Sequence, residues 1–262
     1  GKKNGRYKEW YKEGELRKEG FYKSGLLNGK WKFYFENGKM RGVGSYVNGN
    51  EVDNPVSGVS KDGRSGLWTF WYENGNKKQE SNNKDGKLDG IFKYWYENGN
   101  QMIEETYNNG ILGGPVIYWY ENGNKKQEGI VENNKFDNCK VTWWYENGNK
   151  KEVGTLKNGK WVDLHFWWYE NGQIETQLNY VEGVKKGPTT KWYENGNKKL
   201  EGTVNDSLYD GLVKRWYENG EKKEEETYNN GIRNGKCTYW YKNGQKEKEG
   251  NLDSGLFDGS WT

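Results

Sequence analysis

One histidine, His165, and two cysteines, Cys139 and Cys237, are the residues of this 262-residue chain from which catalysis or metal binding would have to start. Nucleophilic catalysis needs a Ser or Cys beside a histidine base that a third group orients. One histidine, few serines and two cysteines 98 positions apart supply no such set, no zinc spacing and no disulfide framework. Carboxylates abound, but they recur at equivalent turn positions. A catalytic pair should instead be singular and sit in a pocket that shifts its pKa values. The glycines fall at regularly spaced turns rather than at a strand-to-helix junction, so no phosphate loop is present. These residues predict no enzyme, no intrinsic cofactor and no metal site. His165 and the two cysteines are expected as packing residues.

What remains is recognition chemistry. Trp71, Trp95, Trp119, Trp144, Trp168, Trp192, Trp216 and Trp240 form a column of rings, the candidate binding residues. Lysine pairs (Lys77-Lys78, Lys125-Lys126, Lys150-Lys151, Lys198-Lys199, Lys222-Lys223) form a basic ladder. Glutamates such as Glu73, Glu97 and Glu121 form an acidic one beside it. Interleaved charge on a sheet predicts a solvated face with cross-strand pairs. The tryptophans also have a purely structural reading, each covering its own hairpin under a lysine. A lysine over an exposed indole contributes about 0.5–1 kcal/mol.

The elements that must position these columns are repeats. The glycine of Tyr-Glu-Asn-Gly recurs as Gly14, Gly38, Gly75, Gly99, Gly123, Gly148, Gly172, Gly196, Gly220 and Gly244. All steps are 24 residues except one of 37 and one of 25. The long step carries an insertion at about residues 50–62, which includes Pro55, and the other an extra residue near Asn133–Asn138. In the unit Ile91–Gly114, Phe92, Tyr94 and Tyr96 alternate with Lys93, Trp95 and Glu97, a strand period. Asn98-Gly99 then reads as a two-residue type I′ hairpin loop with positive φ at both positions. That loop would pair Trp95 with Met102, Trp71 with Lys78, Trp119 with Lys126 and Trp192 with Lys199. Gln101–Tyr107 returns as a second strand, and Asn109-Gly110 and Gly113-Gly114 bracket a second connection. The positions seven, five and three before each anchor glycine form the expected core face, with the tryptophans opposite. The whole chain, 1–262, reads as one all-β tandem-repeat domain of about ten hairpins. About twenty strands ~4.8 Å apart would extend roughly 90–100 Å if none curled back.

Composition agrees with a thin aromatic core. Hydrophobic residues are only 31% of the chain, yet 15 Trp, 20 Tyr and 8 Phe are present and alanine is missing. A net charge of +3 from 41 basic and 38 acidic residues carries no basic patch, which excludes a typical nucleic-acid binder. No apolar run reaches the ~18 residues of a membrane-spanning helix. The start, Gly1-Lys2-Lys3 without Met, is expected of a trimmed chain, so a leader or anchor would leave no trace in it.

The repeat core Trp-Tyr-Glu-Asn-Gly-Asn-Lys-Lys-x-Glu-Gly, seen at Trp119–Gly129, Trp192–Gly202 and in Trp216–Gly235, resembles the MORN repeat family. It is most similar to the bacterial type-2 variant, whose members are often called antitoxin-like. The resemblance covers nearly the whole chain apart from the insertion around Asn54-Pro55. It implies a single-layer, elongated, twisted antiparallel sheet. It also implies a scaffold that binds a partner protein or self-associates, or a peripheral binder of membrane phospholipids. Aromatic hairpin repeats also occur in choline- and glucan-binding modules, which keeps a carbohydrate or cell-wall binder as an alternative. For a protein partner, specificity is expected in the irregular segments Val52–Ser60, Phe136–Cys139 and Val162–Phe166, because loops on a rigid scaffold carry it.

Overall fold

The computed structural model describes residues 1–51, 59–259 and 262, and among them there is no helix. The chain packs as two compact units, Gly1–Lys135 and Phe136–Thr262. The first contains β1 (Gly5–Trp10), β2 (Leu16–Lys23), β3 (Leu26–Tyr34), β4 (Met40–Gly49), β5 (Arg64–Trp71), β6 (Lys77–Lys84), β7 (Lys87–Trp95), β8 (Gln101–Asn108), β9 (Ile111–Trp119) and β10 (Lys125–Glu132). The short β11 (Lys135–Phe136) lies at the boundary between the units. The second contains β12 (Cys139–Trp144), β13 (Lys150–Lys157), β14 (Lys160–Trp168), β15 (Ile174–Val181), β16 (Val184–Trp192), β17 (Lys198–Asn205), β18 (Leu208–Tyr209), β19 (Gly211–Trp216), β20 (Lys222–Asn229), β21 (Ile232–Trp240), β22 (Lys246–Asp253) and β23 (Leu256–Asp258). Within each unit, consecutive strands pair antiparallel as tandem hairpins; β17 pairs with both β18 and β19.

The two connections of each repeat differ, and the tightest one is not where the sequence suggested. In Tyr72–Asn76 the Gly75 N–H donates to the Tyr72 carbonyl (2.9 Å) and the Tyr72 N–H to the Asn76 carbonyl (2.8 Å). Only Gly75 has a positive φ, +97°. The loop is therefore three residues, Glu73-Asn74-Gly75, a type I turn closed by a left-handed glycine. Asn74 Oδ1 accepts the Asn76 N–H at 2.8 Å, which holds Asn74 in the right-handed conformation. The type I′ loops lie at the opposite end of the hairpins, as in Asp85-Gly86 (φ 49° and 79°) and Asn109-Gly110 (48° and 84°).

This turn shifts the expected register by one residue. Trp71 faces Lys77, Trp95 faces Gln101, Trp119 faces Lys125 and Trp192 faces Lys198. The second lysine, such as Lys78, is the extra residue of a β-bulge, because Phe70 already faces Gln79.

The core follows the column seven before each anchor. Trp31, Trp68, Val116, Val141, His165, Val213 and Cys237 are all at most 1% exposed. What opposes this column is chosen by size. A Cβ on Gly20 would sit 2.1 Å from the Trp31 ring, and one on Gly44 would sit 2.1 Å from that of Trp68. Ser81 faces Phe92, and Leu178 faces the smaller Thr189. The glycines here are required for space, since an interior at close packing has no room for both groups.

Candidate functional site

The eight tryptophans of the column end the first strand of their hairpins, where the bulge and the three-residue loop begin. Each is half-buried, whereas the core column is sealed. Lysines do cap these rings, but across repeats. Lys77 Nζ lies 5.1 Å from the centre of Trp95, Lys198 5.6 Å from Trp216 and Lys222 5.4 Å from Trp240. The second lysine of each pair covers its own hairpin's tyrosine instead: Lys78 over Tyr72, Lys199 over Tyr193 and Lys223 over Tyr217.

The first lysine pairs along its own strand with a glutamate three residues on: Lys77–Glu80 (2.6 Å), Lys125–Glu128 (2.8 Å), Lys198–Glu201 (2.7 Å) and Lys222–Glu225 (2.8 Å). The bulge makes this in-strand contact geometrically accessible. Cross-strand pairs also occur, as in Lys93–Glu104 at 3.2 Å.

The Tyr-Glu-Asn-Gly-Asn segment joins each hairpin to the next. Tyr72, Tyr96, Tyr145, Tyr169, Tyr193 and Tyr217 donate their hydroxyls to the backbone carbonyls of Trp95, Trp119, Trp168, Trp192, Trp216 and Trp240 at 2.7–2.9 Å. Asn74 and Asn76 both donate to the Glu97 carbonyl, and Asn195 and Asn197 to that of Glu218. Such bonds satisfy carbonyls at the turns and set the spacing of the tryptophans.

Apart from His165, expected as a packing residue, the polar side chains inside the sheet were not singled out from the sequence. His165 shares a 2.9 Å contact from Nε2 to Glu152 and stacks on Trp167 with centroids 4.1 Å apart, while its Nδ1 has no partner among the described residues. Glu226, fully buried, accepts bonds from Tyr228 and Tyr239 (both 2.7 Å) and lies against Arg215 (3.1 Å) and Arg233 (3.3 Å). Burial alone would raise its pKa, but these donors and cations outweigh burial and hold the carboxyl below the usual range. Glu105 accepts from Tyr107 and Tyr118, and the Tyr107 phenol is pushed up to about 12 by burial and then by this bond.

The first unit also holds a cavity of ≈ 660 Å³ lined by Arg41, Lys61, Arg64 and Lys78 together with Phe35, Phe70, Trp71, Phe92 and Tyr94. The signal that could have revealed it is Asn83, which stands where the neighbouring repeats have Tyr46 and Tyr107. Among the described residues, no group of three or more His, Cys, Asp or Glu could hold a metal ion.

The MORN repeat variant profile matches residues 3–24, 27–48, 64–85, 88–109, 112–133, 140–158, 164–182, 209–230 and 233–253. The chain belongs to this MORN repeat variant family. Its members are repeat scaffolds of a non-catalytic type, and this MORN protein is a tandem-repeat, all-β module built on that plan. No curated protein sequence matches it. Among solved structures, a chain of "TcdB2-TccC3-Cdc42" is 9% identical over 94% of this MORN chain, with a TM-score of 0.22. A chain of "TcdB2-TccC3-TEV" is 11% identical over 97%, with a TM-score of 0.20. This chain spans 14% and 15% of those two chains, and likenesses at that level carry no argument. Among the described residues, no helix is long and apolar enough to cross a membrane.

Proposed function

We propose that this MORN protein is a non-catalytic scaffold that binds a partner protein through its tryptophan column, in the manner of an immunity or antitoxin-like protein. The supporting observation is the contrast between two columns on the same strands. One is sealed in the core, while Trp71, Trp95, Trp119, Trp144, Trp168, Trp192, Trp216 and Trp240 are left half-buried at every repeat. Large amphipathic rings held at fixed spacing are the commonest anchors of protein interfaces. Their positions are set by the Tyr and Asn bonds described above, so little ordering is needed on binding. Lys77, Lys125, Lys198 and Lys222, the first lysines of four pairs, are matched by in-strand glutamates, which weighs against a charged lipid surface.

Two of the irregular segments keep their candidacy as specificity elements. Asn138 and Asp163 carry φ of 51° and 61° at positions where other repeats have glycine. Of the third, Val52–Gly58 lies outside the described residues.

The test is capture from the source lysate with the intact chain and with a folded Trp144→Ala, Trp168→Ala, Trp192→Ala variant. One protein retained in near-stoichiometric yield by the first and lost by the second is the expected result. Equal capture by both would remove the column from the site. Retention by glycans or anionic vesicles without any protein partner would overturn the reading itself.

A further inference from the structure

We propose that the cavity in the first unit is a binding site for a small organic anion with a flat apolar body, its carboxylate or phosphate held by Arg41, Arg64 and Lys78. This goes beyond partner binding, although Trp71 of the column is one of the cavity's lining residues.

The cavity opens where one repeat departs from a column that its neighbours fill. At the position eight after the anchor, Tyr22, Tyr46, Tyr107, Tyr180 and Tyr228 stand in five repeats and Val131, Leu156, Val204 and Leu252 in four; in the repeat anchored at Gly75, flanked by the repeats of Tyr46 and Tyr107, that position is the polar Asn83. Removing a phenol-sized group from a ring-lined layer leaves a hole, and its walls are the rings Phe70, Phe92 and Tyr94. At ≈ 660 Å³ the space falls within the ~300–1,000 Å³ range of small-molecule pockets.

Its charge is as unusual as its shape. Four cationic residues line it, and none of its described lining residues is acidic. Elsewhere in the same unit cations find carboxylates: Lys18 pairs with Glu9 and Glu51, Lys77 with Glu80 and Lys93 with Glu104. Arg41, Lys61, Arg64 and Lys78 have no ion pair among the described residues. Arg64 is the built part of the site. It is 6% exposed and anchored by donating Nε to the Ser60 carbonyl (2.8 Å) and Nη2 to the Val59 carbonyl (3.1 Å). Its guanidinium stacks 4.6 Å from the centre of Trp68 and 5.0 Å from that of Phe70. Its backbone is held by the Gly86 N–H, which donates to the Arg64 carbonyl at 3.0 Å. A guanidinium fixed in this way has prepaid its ordering, and buried cations without a counter-ion favour an anion over water. Rings beside the cations select an anion that carries an apolar plane rather than a bare one.

The experiment is calorimetric titration of the full chain with phenyl phosphate, benzoate, inorganic phosphate and neutral benzyl alcohol. Phenyl phosphate or benzoate should bind saturably with a Kd of about 1 mM or tighter; which one binds better tells the phosphate source from the carboxylate source. Benzyl alcohol and inorganic phosphate should each bind at least about tenfold more weakly, and added salt should weaken the aromatic anion. Asn83→Tyr restores the column and fills the hole. It should lose binding at least about tenfold while melting no lower than the parent chain. Arg41→Gln with Lys78→Gln changes only groups that reach solvent, and serves if Asn83→Tyr does not fold; it too should lose binding. Absence of saturable binding by either aromatic anion would overturn the proposal, as would unchanged binding in a folded variant of either kind.

Discussion

The two units solve the same packing problem with different materials. In the first, the deepest layer is made of rings. Tyr22, Trp31, Phe33, Tyr46 and Trp68 form one buried cluster, with Tyr22 edge-on to Trp31 at 5.1 Å and Tyr46 edge-on to Trp68 at 4.8 Å. In the second, the same columns hold His165, Thr189, Val213 and Cys237, and the buried apolar cluster among the described residues is small: Leu200, Val213 and Tyr228. Buried polar side chains stand among the aliphatic ones there, most densely around Glu226. The difference teaches that one backbone plan tolerates either a dispersion-held or a hydrogen-bonded interior. The condition is that a bulky side chain of the core column has a small residue beside it, as Trp31 has Gly20 and His165 has Gly154.

The comparison can be broken hardest in the first unit. Trp31→Ala should cost about 3–5 kcal/mol in chemical denaturation, because it empties a sealed ring site that Gly20 cannot refill. Glu226→Ala in the second unit should cost somewhat less than the ~3–5 kcal/mol of breaking a fully buried pair, because Arg233 keeps half of its side chain in water. If Glu226→Leu proves as stable as the parent, the polar interior is a substitute for an apolar one rather than a requirement.

Acid should separate the units in a titrated melting series. Glu226 has a folded pKa below its unfolded value, so its contribution is present above about pH 4.5 and is lost as pH falls through the folded value. Glu51 in the first unit behaves likewise. Burial opposes its charge, but bonds from Lys18 and Tyr22 bring it down to about 2, so its loss is spread between pH 4.5 and 2. Glu226→Gln should flatten the acid limb of the second unit and leave that of the first unchanged.

Smaller effects sharpen what the units share. Gly123→Val should cost at least ~1 kcal/mol, because Gly123 has φ +91° and β-branched residues resist that region. Tyr96→Phe should cost about 0.5–1.5 kcal/mol, the value of one hydrogen bond to the Trp119 carbonyl, at an unchanged strand register by amide exchange. Lys77→Gln should change melting least, by about 0.5–1 kcal/mol or less, since it removes only an exposed cation over Trp95 and an exposed ion pair.

Legibility in the sequence followed the range of the interaction. The period, the strand alternation and the sealed column through His165 and Cys237 follow from spacing and residue type. The turn at Tyr-Glu-Asn-Gly did not, because Asn-Gly is compatible with both a two-residue and a three-residue loop. What selects the longer loop is Asn74 Oδ1 on the Asn76 N–H, together with the amides of both asparagines on the carbonyl of Glu97 in the next repeat. The register moved by one residue in consequence, and the lysines over Trp95, Trp216 and Trp240 come from the preceding repeat. Glu226 was hidden for a similar reason. In the run Glu224-Glu225-Glu226 nothing local distinguishes the buried carboxylate from its half-buried neighbours.

The sequence by itself therefore determined a 24-residue hairpin repeat and its core column, since these depend on periodicity. Only the tertiary structure decided which turn is tight, which cation meets which ring, which carboxylate is buried and where a missing tyrosine opens a cavity. Each of those is a contact between neighbouring repeats, and its energy depends on the pairing of columns that no single repeat contains.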